Sequence, residues 1–136
     1  MVVISYDLGQ NTAGGFGQFI RVPVDWVMPL PKGMSLRESM IYGTAGYTAG
    51  LSISKLQHQG VTPKIGPVVV TGATGGVGSI SIAILSRLGY SVTASSGKAD
   101  AENFLKNLGA SEVIGRKAVS DESGRTLLQE KWAGAI

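Results

Sequence analysis

The sequence predicts an α/β fold in its second half, with helices covering a parallel sheet. From residue 66 onwards, apolar runs of strand length alternate with helix-like segments. Such alternation predicts parallel strands joined by right-handed crossovers, with helices on both faces. The first strand of this region runs directly into a glycine-rich turn at 71–78, and that turn opens an apolar helix. The pattern is typical of the first half of a doubly wound sheet.

Residues 1–34 follow a different pattern, which predicts short extended segments. We expect strands at 2–6 and 16–23, joined by a polar, flexible loop. Residues 26–31 are predicted to be extended, because two prolines each keep the preceding residue out of the helical region.

An interrupted helix is predicted next. Ser35 and Glu38 have the spacing of a capping box, so the helix should begin at Ser35 and continue to about Gln59. Gly43 and Gly46 interrupt it, and a glycine inside a helix costs roughly 1 kcal/mol relative to alanine. Close packing of another backbone and close approach of a ligand explain these glycines equally well.

The sequence thus divides into three segments: 1–34, a connecting helix at 35–65, and an alternating region at 66–136. The alternating region has predicted strands at 67–71, 90–95, 112–114 and 132–136, and predicted helices at 76–88, 99–108 and 120–129. In the first of these helices, Val77, Ile80, Ile84 and Leu88 form the expected apolar stripe. Both termini lie inside apolar runs, whereas domain boundaries usually fall in polar linkers, so we expect an internal portion of a longer protein.

The glycine-rich turn predicts a dinucleotide-phosphate site. Glycines at 75, 76 and 78 let the backbone approach a pyrophosphate, and the following helix presents free N–H groups to it. Thr71-Gly72-x-x-x-Gly76-x-Gly78 matches a short-chain dehydrogenase signature, and Ala73-x-Gly75-x-x-Gly78 matches a medium-chain fingerprint. Position favours the medium-chain interpretation, because about seventy residues precede the turn. A tight turn without a ligand is the remaining alternative.

Composition excludes several other classes of function. The net charge is +3, and the 12 Lys and Arg residues are scattered, so no nucleic-acid groove is indicated. No apolar run approaches the ~20 residues of a membrane span, and we expect a cytoplasmic protein without a membrane partner. Without cysteine and with His58 as its one histidine, the chain cannot supply the usual zinc ligand sets, so no metal site is expected. His58 is interpreted as a surface residue at a helix end.

Several spaced motifs together resemble the zinc-free medium-chain dehydrogenase/reductases, in the branch of quinone oxidoreductases and acryloyl-CoA reductases. The motifs are Asn11-x-x-Gly-Gly15, Arg21-Val22, Trp26, residues 40–49 (MIYGTAGYTA), residues 70–78 (VTGATGGVG), Ser96-Gly-Lys98, Leu108-Gly-Ala-Ser111 and Trp132-Ala-Gly-Ala135. The resemblance implies that 1–34 ends a GroES-like, β-rich catalytic domain and that 66–136 is the first half of a Rossmann domain. It also implies a small-molecule substrate, a quinone or an enoyl-CoA, and a homo-oligomer when the protein is complete.

The resemblance also assigns roles to individual residues. Thr44 is implied to lie near the nicotinamide, as a catalytic and cofactor-binding residue. Asn11 is implied to be a catalytic candidate in a loop near the active site, although a turn-forming asparagine beside Gly14-Gly15 is an equally good interpretation. The cofactor contacts implied at the glycine turn are Thr74, Gly75, Gly76, Val77 and Gly78.

The end of the second strand predicts which dinucleotide binds. An NAD site usually has an acidic residue about 20 positions beyond the turn, whereas this strand ends in Ser95. Ser96 and Lys98 follow, and a hydroxyl with a cation suits the 2′-phosphate of NADP. A solvated loop lysine is the alternative for Lys98. We therefore expect an NADPH-dependent reductase, the alternatives being a dinucleotide-binding fragment without catalysis and a short-chain-type dehydrogenase.

Overall fold

The computed structural model describes residues 2–3, 7–120 and 129–136, which form two compact units. The first unit is Met1–Ile41 and the second is Tyr42–Ile136. None of the helices in the described residues has the length and hydropathy needed to cross a bilayer.

The first unit contains a short antiparallel strand pair. Strand β1 (Val2–Val3) pairs with β2 (Val27–Met28), and Val2 lies opposite Met28. The strand predicted at 2–6 is thus confirmed for Val2–Val3, while residues 4–6 lie outside the described part. The extended stretch predicted at 26–31 contains β2, which follows a 3-10 turn at Val24–Trp26.

The strand predicted at 16–23 is wrong. Its residues adopt no regular structure, and Phe16 and Phe19 are almost fully exposed. Gly17 N donates to Gly15 O at 2.9 Å, so the chain turns where the strand was expected to begin. An apolar run forms a strand only when a neighbouring strand takes its backbone hydrogen bonds, and none of the described residues pairs with this segment.

The predicted capping box is confirmed. Helix α1 (Leu36–His58) begins after Ser35, whose backbone N donates to Glu38 Oε2 at 2.7 Å. Glu38 N in turn donates to Ser35 Oγ at 3.2 Å. Inside the helix, Gly43 has φ +44° and ψ −149°, so its backbone is not helical. The interruption predicted from sequence is therefore a sharp break at one residue.

The second unit has a four-stranded parallel sheet, as predicted. Its strands are β3 (Val68–Val70), β4 (Val92–Ser95), β5 (Glu112–Ile114) and β6 (Gly134–Ala135). Their order in the sheet is β5-β4-β3-β6, and every neighbouring pair is parallel. Strands β4 and β5 therefore extend the sheet on one side of β3, and β6 lies on the other side.

The helices between these strands depart from prediction mainly at their ends. Helix α2 (Gly76–Arg87) lies where it was expected. Helix α3 (Glu102–Asn107) follows a 3-10 turn at Ala99–Ala101. A further 3-10 helix, Arg116–Val119, was not predicted. Most of the helix predicted at 120–129 falls on residues 121–128, which lie outside the described part.

The core of the second unit lies between the sheet and its helices. Its largest fully buried apolar side chains are Ile82, Leu85, Leu105, Val68, Val70 and Val92. Burying each contributes about 1.5–3 kcal/mol. The apolar stripe predicted on α2 is displaced from the buried face, because Ile80 and Ile84 are half-buried and Leu88 is exposed. Helix α2 is apolar on most of its surface, so periodicity could not identify the side that meets the sheet.

Candidate functional site

The turn between β3 and α2 is built from backbone groups alone. Gly72 has φ +54°, a conformation that glycine adopts far more readily than other residues. Gly75 N donates to Gly72 O at 2.8 Å, which closes the turn. The first helical bond is Ser79 N to Gly75 O at 2.9 Å, so the N–H groups of residues 76–78 have no acceptor inside the helix. These are the groups that bind anions at helix N-termini.

The three glycines predicted at the start of α2 lie in different surroundings. A Cβ on Gly78 would lie 2.5 Å from Gly72 O, so Gly78 permits close packing of the helix on the turn. Gly75 and Gly76 are exposed. The first turn of α2 contains no acidic residue that would repel an anion. Gly75 and Gly76 thus expose backbone without a side chain, and a Cβ would lie 3.2 Å from Gly72 O at Gly75 and 3.1 Å from the Cβ of Ala45 at Gly76.

The sheet topology places this turn where ligands bind in open α/β sheets. The strand order reverses at β3, since β4 lies on one side and β6 on the other. Thr71 follows β3 and Ile136 follows β6, and hydrogen bonds join these two strand ends. The N and the Oγ1 of Thr71 donate to Ile136 O at 2.7 and 3.1 Å. Ligands bind in the crevice outside the carboxyl ends of strands at such a reversal.

Thr44 precedes a residue that contacts the start of α2. A Cβ on Gly76 would be 3.1 Å from the Cβ of Ala45, so the helix after the Gly43 break packs directly against the start of α2. Thr44 is exposed and adjoins Ala45 in the chain, and its carbonyl accepts a 2.8 Å hydrogen bond from Thr48 Oγ1. The contact of Ala45 with Gly76 thus places Thr44 one residue away from the turn that contains the half-buried Thr74 and Val77.

The end of β4 lies beside the same turn, because Ala73 N donates to Ser95 O at 3.2 Å. Ser95 is buried, and Ser96 follows it half-buried. The Oγ of Ser96 accepts from Lys98 N at 3.1 Å. Because this bond uses an acceptor position of the hydroxyl, its hydrogen remains available to another acceptor. The Lys98 side chain is exposed.

Arg116 is a residue near this position that the sequence reasoning missed. A Cβ on Gly97, between Ser96 and Lys98, would lie 2.7 Å from Arg116 Nε. Its position in the sequence could have indicated this, because Arg116 comes two residues after β5, which is the parallel neighbour of β4.

Asn11 belongs to the first unit, where it completes a turn. Its Nδ2 donates to Asp7 Oδ1 at 2.7 Å, and its backbone N donates to Asp7 O at 3.3 Å. Both bonds agree with the turn-forming interpretation. The catalytic role expected for Asn11 stays a prediction.

His58 occupies the surface position that was predicted. It is the last residue of α1, is exposed, and has Nδ1 2.8 Å from Ser54 O. Within the described ranges, no three His, Asp or Glu side chains are grouped as metal ligands would be.

Comparisons with known proteins identify relatives of this chain. YhfP of Bacillus subtilis, provisionally named a quinone oxidoreductase, is 48% identical over all 136 residues. The acrylyl-CoA reductase AcuI of Ruegeria pomeroyi is 42% identical over the same span. The chain belongs to the medium-chain dehydrogenase/reductase family. It spans 41% of the length of each of these relatives.

Two solved structures are similar to almost the whole of this chain. The yhdH oxidoreductase of Salmonella enterica, solved with NADP, superimposes with a TM-score of 0.90 at 44% identity, covering 98% of this chain and 40% of its own. The B. subtilis yhfP structure, solved with NAD, gives a TM-score of 0.92 at 49% identity with the same coverage. No protein-family model matches the chain.

Proposed function

We propose that this chain is the central part of an NADPH-dependent, zinc-independent reductase of a quinone or of an activated alkene such as acryloyl-CoA. The observation that carries the proposal is the bare backbone of Gly75 and Gly76 at the start of α2, at the point where the strand order reverses. The names of the relatives support both substrate classes, because one is provisionally a quinone oxidoreductase and another an acrylyl-CoA reductase.

In this proposal, the turn residues bind the phosphates of the dinucleotide. The free N–H groups of Gly76, Val77 and Gly78 donate to the pyrophosphate, and the positive end of the helix dipole adds to the attraction. Thr74, in the same turn, is proposed to contact the phosphates as well. When bound, the reduced nicotinamide supplies the hydride.

Thr44 is proposed to orient the nicotinamide and the substrate. Its position after the Gly43 break, beside Ala45 and Gly76, supports this role. Asn11 is proposed as a second catalytic residue, a hydrogen-bond donor that stabilises charge developing on the substrate oxygen. Correct orientation by such groups accounts for a large part of the rate of many enzymes.

NADPH is the proposed cofactor, because the end of β4 has no acidic residue and offers Ser96 and Lys98 instead. A carboxylate there would accept from the ribose hydroxyls of NAD and would repel a 2′-phosphate. The structure of S. enterica yhdH with NADP supports this choice. The structure of B. subtilis yhfP with NAD makes a direct comparison of the two cofactors necessary.

Residues 1–34 are proposed to end a GroES-like catalytic domain, 35–65 to connect the domains, and 66–136 to begin the cofactor domain. The complete protein is proposed to be a cytoplasmic homo-oligomer that binds neither nucleic acid nor membranes. Its oligomeric state can be measured by light scattering after size-exclusion chromatography.

Turnover of the complete protein tests the proposal. NADPH oxidation is followed with a quinone and with acryloyl-CoA as separate acceptors, and calorimetry measures NADPH binding without an acceptor. Binding with turnover of one acceptor is the expected result. Binding without any turnover favours a dinucleotide-binding module, and no binding overturns the proposal.

A further inference from the structure

We infer that Tyr90 is a positioning residue for the proposed reaction. Its hydroxyl joins the C-terminal ends of α1 and α2 and thereby holds Thr44 in place near the other end of α1. This inference rests on the proposed function, because Thr44 is proposed there to orient the nicotinamide and the substrate. Tyr90 precedes β4 and is only 6% exposed, so it acts through the helices and not by contact with a ligand.

Helices α1 and α2 end in the same way, with a Schellman motif in which a glycine turns the chain. After α1, Gly60 has φ +83°, and Val61 N donates to a carbonyl of the last helical turn at 3.0 Å. After α2, Gly89 has φ +83°, and Tyr90 N donates to a carbonyl of the last turn at 3.0 Å. Such bonds satisfy carbonyl groups that the helix leaves unpaired. Val61 and Tyr90 therefore occupy equivalent positions, and each is fixed to its own helix.

One buried hydrogen bond joins these two helix ends. Tyr90 Oη donates to Val61 O at 2.8 Å. A buried carbonyl that loses its donor is left unsatisfied, and this costs more than the net value of the bond. Because Tyr90 and Val61 are each bonded to their own helix, the bond fixes the end of α1 relative to the end of α2.

The contact between these helices at the proposed site is made by smaller groups. A Cβ on Gly76 would lie 3.1 Å from the Cβ of Ala45. Few atoms meet there, so the contact offers little resistance to a shift of α1. The larger apolar groups of α1 pack further along the helix. Ile53 is buried, and a Cβ on Gly134 would lie 2.9 Å from Leu56 Cδ2. The position of α1 is therefore determined mainly near its C-terminal end.

The helical part of α1 after the break connects this end to Thr44. Gly43 has a non-helical backbone, so the segment before it does not continue the same helix. From Thr44 to His58 the helix extends about 21 Å. Rigid secondary elements of this kind can carry coupling between distant positions. A displacement at the end of α1 therefore moves Thr44, and turnover depends steeply on the orientation of such groups.

Hydrogen exchange of the complete protein, measured by mass spectrometry without cofactor, tests the role of the bond between Tyr90 and Val61. Tyr90→Phe removes only the hydroxyl and should accelerate amide exchange in residues 44–58 roughly fivefold, the scale of one lost hydrogen bond. Leu105→Val is the matched control, since it removes buried volume in α3 and leaves the bond intact. It should change exchange in residues 44–58 less than Tyr90→Phe does.

Kinetics of the complete enzyme, saturated with NADPH, separate positioning from stability. Tyr90→Phe should lower kcat/KM for the acceptor by at least about twofold, but by no more than Thr44→Val does, because it acts through Thr44. The Kd of NADPH should change less than kcat/KM, since the backbone groups of the glycine turn remain. In a Thr44→Val background, Tyr90→Phe should add little. Thermal unfolding measures the stability of each variant.

A second variant disturbs the end of α1 without touching Tyr90. Gly60→Ala places a Cβ at φ +83°, where a side chain is strained although no atom lies within 4 Å. It should also lower kcat/KM, and the two variants together should cost less than the sum of their separate losses. Gly33→Ala is the matched control, because Gly33 has the same φ and the same open surroundings but precedes α1. It should leave kcat/KM close to that of the wild type. If Tyr90→Phe does not fold, Gly60→Ala alone decides.

The outcomes separate this inference from the proposed function. If the complete protein reduces an acceptor but Tyr90→Phe changes neither exchange in residues 44–58 nor kcat/KM, the role of Tyr90 is wrong while the proposed function stands. The same holds if the loss in Tyr90→Phe adds fully to that in Thr44→Val. Equal losses in Leu105→Val would also overturn this role, because the effect would then be one of general stability. A wild type without turnover overturns both proposals.

Discussion

Ala45 and Gly76 are in close contact: a Cβ on Gly76 would lie 3.1 Å from the Cβ of Ala45. This contact joins the helix that restarts after Gly43 to the first residue of α2. The sequence left two explanations open for the glycines of the interrupted helix, backbone packing and ligand approach. Because the restarted helix packs against the turn proposed to bind the pyrophosphate, both explanations apply to the same place.

Gly78 provides a test of a neighbouring contact, the packing of α2 on the glycine turn. Gly78→Ala should destabilise the protein by roughly 1–3 kcal/mol, as for other overpacked sites, because the new Cβ would lie 2.5 Å from Gly72 O and 2.8 Å from Ala73 Cα. Both are backbone atoms of the turn, so relief of the clash also moves the proposed phosphate site and weakens NADPH binding. Denaturant unfolding and calorimetry measure the two effects.

Gly50→Ala is the matched control for this substitution. Gly50 is also helical, and a Cβ there would have no atom within 4 Å. The control should be neutral or stabilising by up to about 1 kcal/mol, because alanine favours helix more than glycine does. Equal losses in the two variants would show that the close approach at Gly78 does not matter.

Thr44→Val tests the proposed role of this residue beside the turn. Valine keeps the shape of threonine but cannot hydrogen-bond, so the fold should persist while kcat/KM falls roughly two- to tenfold, the scale of one lost hydrogen bond. The measurement is NADPH oxidation by the complete enzyme, with thermal unfolding as the check on the fold.

Thr48→Val is the control for that variant, one helical turn further along α1. It removes the bond from Thr48 Oγ1 to Thr44 O, which lies within the helix, and should leave kcat/KM close to that of the wild type. Unchanged turnover and NADPH affinity in Thr44→Val would restrict the glycines at 43 and 46 to a packing role.

The sequence predicted those features of the second unit that depend on local backbone preferences. Glycines at fixed spacing after Val68–Val70 specify the turn at the start of α2, and alternation of strand and helix specifies a parallel sheet. The capping box at Ser35 and Glu38 is local in the same sense. All of these are confirmed.

Features that depend on distant contacts were not predictable in this way. Arg116 meets Gly97 only because β4 and β5 are neighbours in register, which no local pattern encodes. The prediction of a strand at 16–23 was wrong for a related reason, because a short apolar segment does not specify a pairing partner. The choice of buried face on α2 likewise depends on the sheet beneath it.

The capping box makes stability depend on pH in a defined direction. The backbone N–H of Ser35, and then its hydroxyl, donate to the carboxylate of Glu38 and hold the pKa of Glu38 below its ordinary value of 4.5. A carboxylate whose pKa is lowered by folding stabilises the folded state. Its full contribution is present at pH values above the unfolded pKa and disappears as pH falls through the folded pKa.

Glu38→Gln tests this contribution, because glutamine can still accept the bond from Ser35 N but carries no charge. The wild type should have the higher melting temperature at pH 7, and the difference should shrink as pH falls below 4.5. A difference that stays constant between pH 7 and pH 3 would show that the charge of Glu38 does not contribute.

Lys98 tests the proposed choice of cofactor. Lys98→Ala should raise the Kd of NADPH about tenfold and leave that of NADH nearly unchanged, because only NADPH has the 2′-phosphate. Ser96→Ala should give a smaller change in the same direction, since a neutral hydroxyl makes the weaker bond. The control is Lys55→Ala, an exposed lysine in the last turn of α1.

Salt separates the contribution of charge from that of geometry at Lys98. Exposed charges are screened over about 8 Å at physiological ionic strength and over shorter distances at higher salt. The loss caused by Lys98→Ala should therefore shrink as salt increases, whereas the loss caused by Ser96→Ala should change little. If the wild type binds NADPH and NADH equally, or if Lys98→Ala weakens both alike, Ser96 and Lys98 do not recognise a 2′-phosphate. NADH would then replace NADPH as the proposed cofactor.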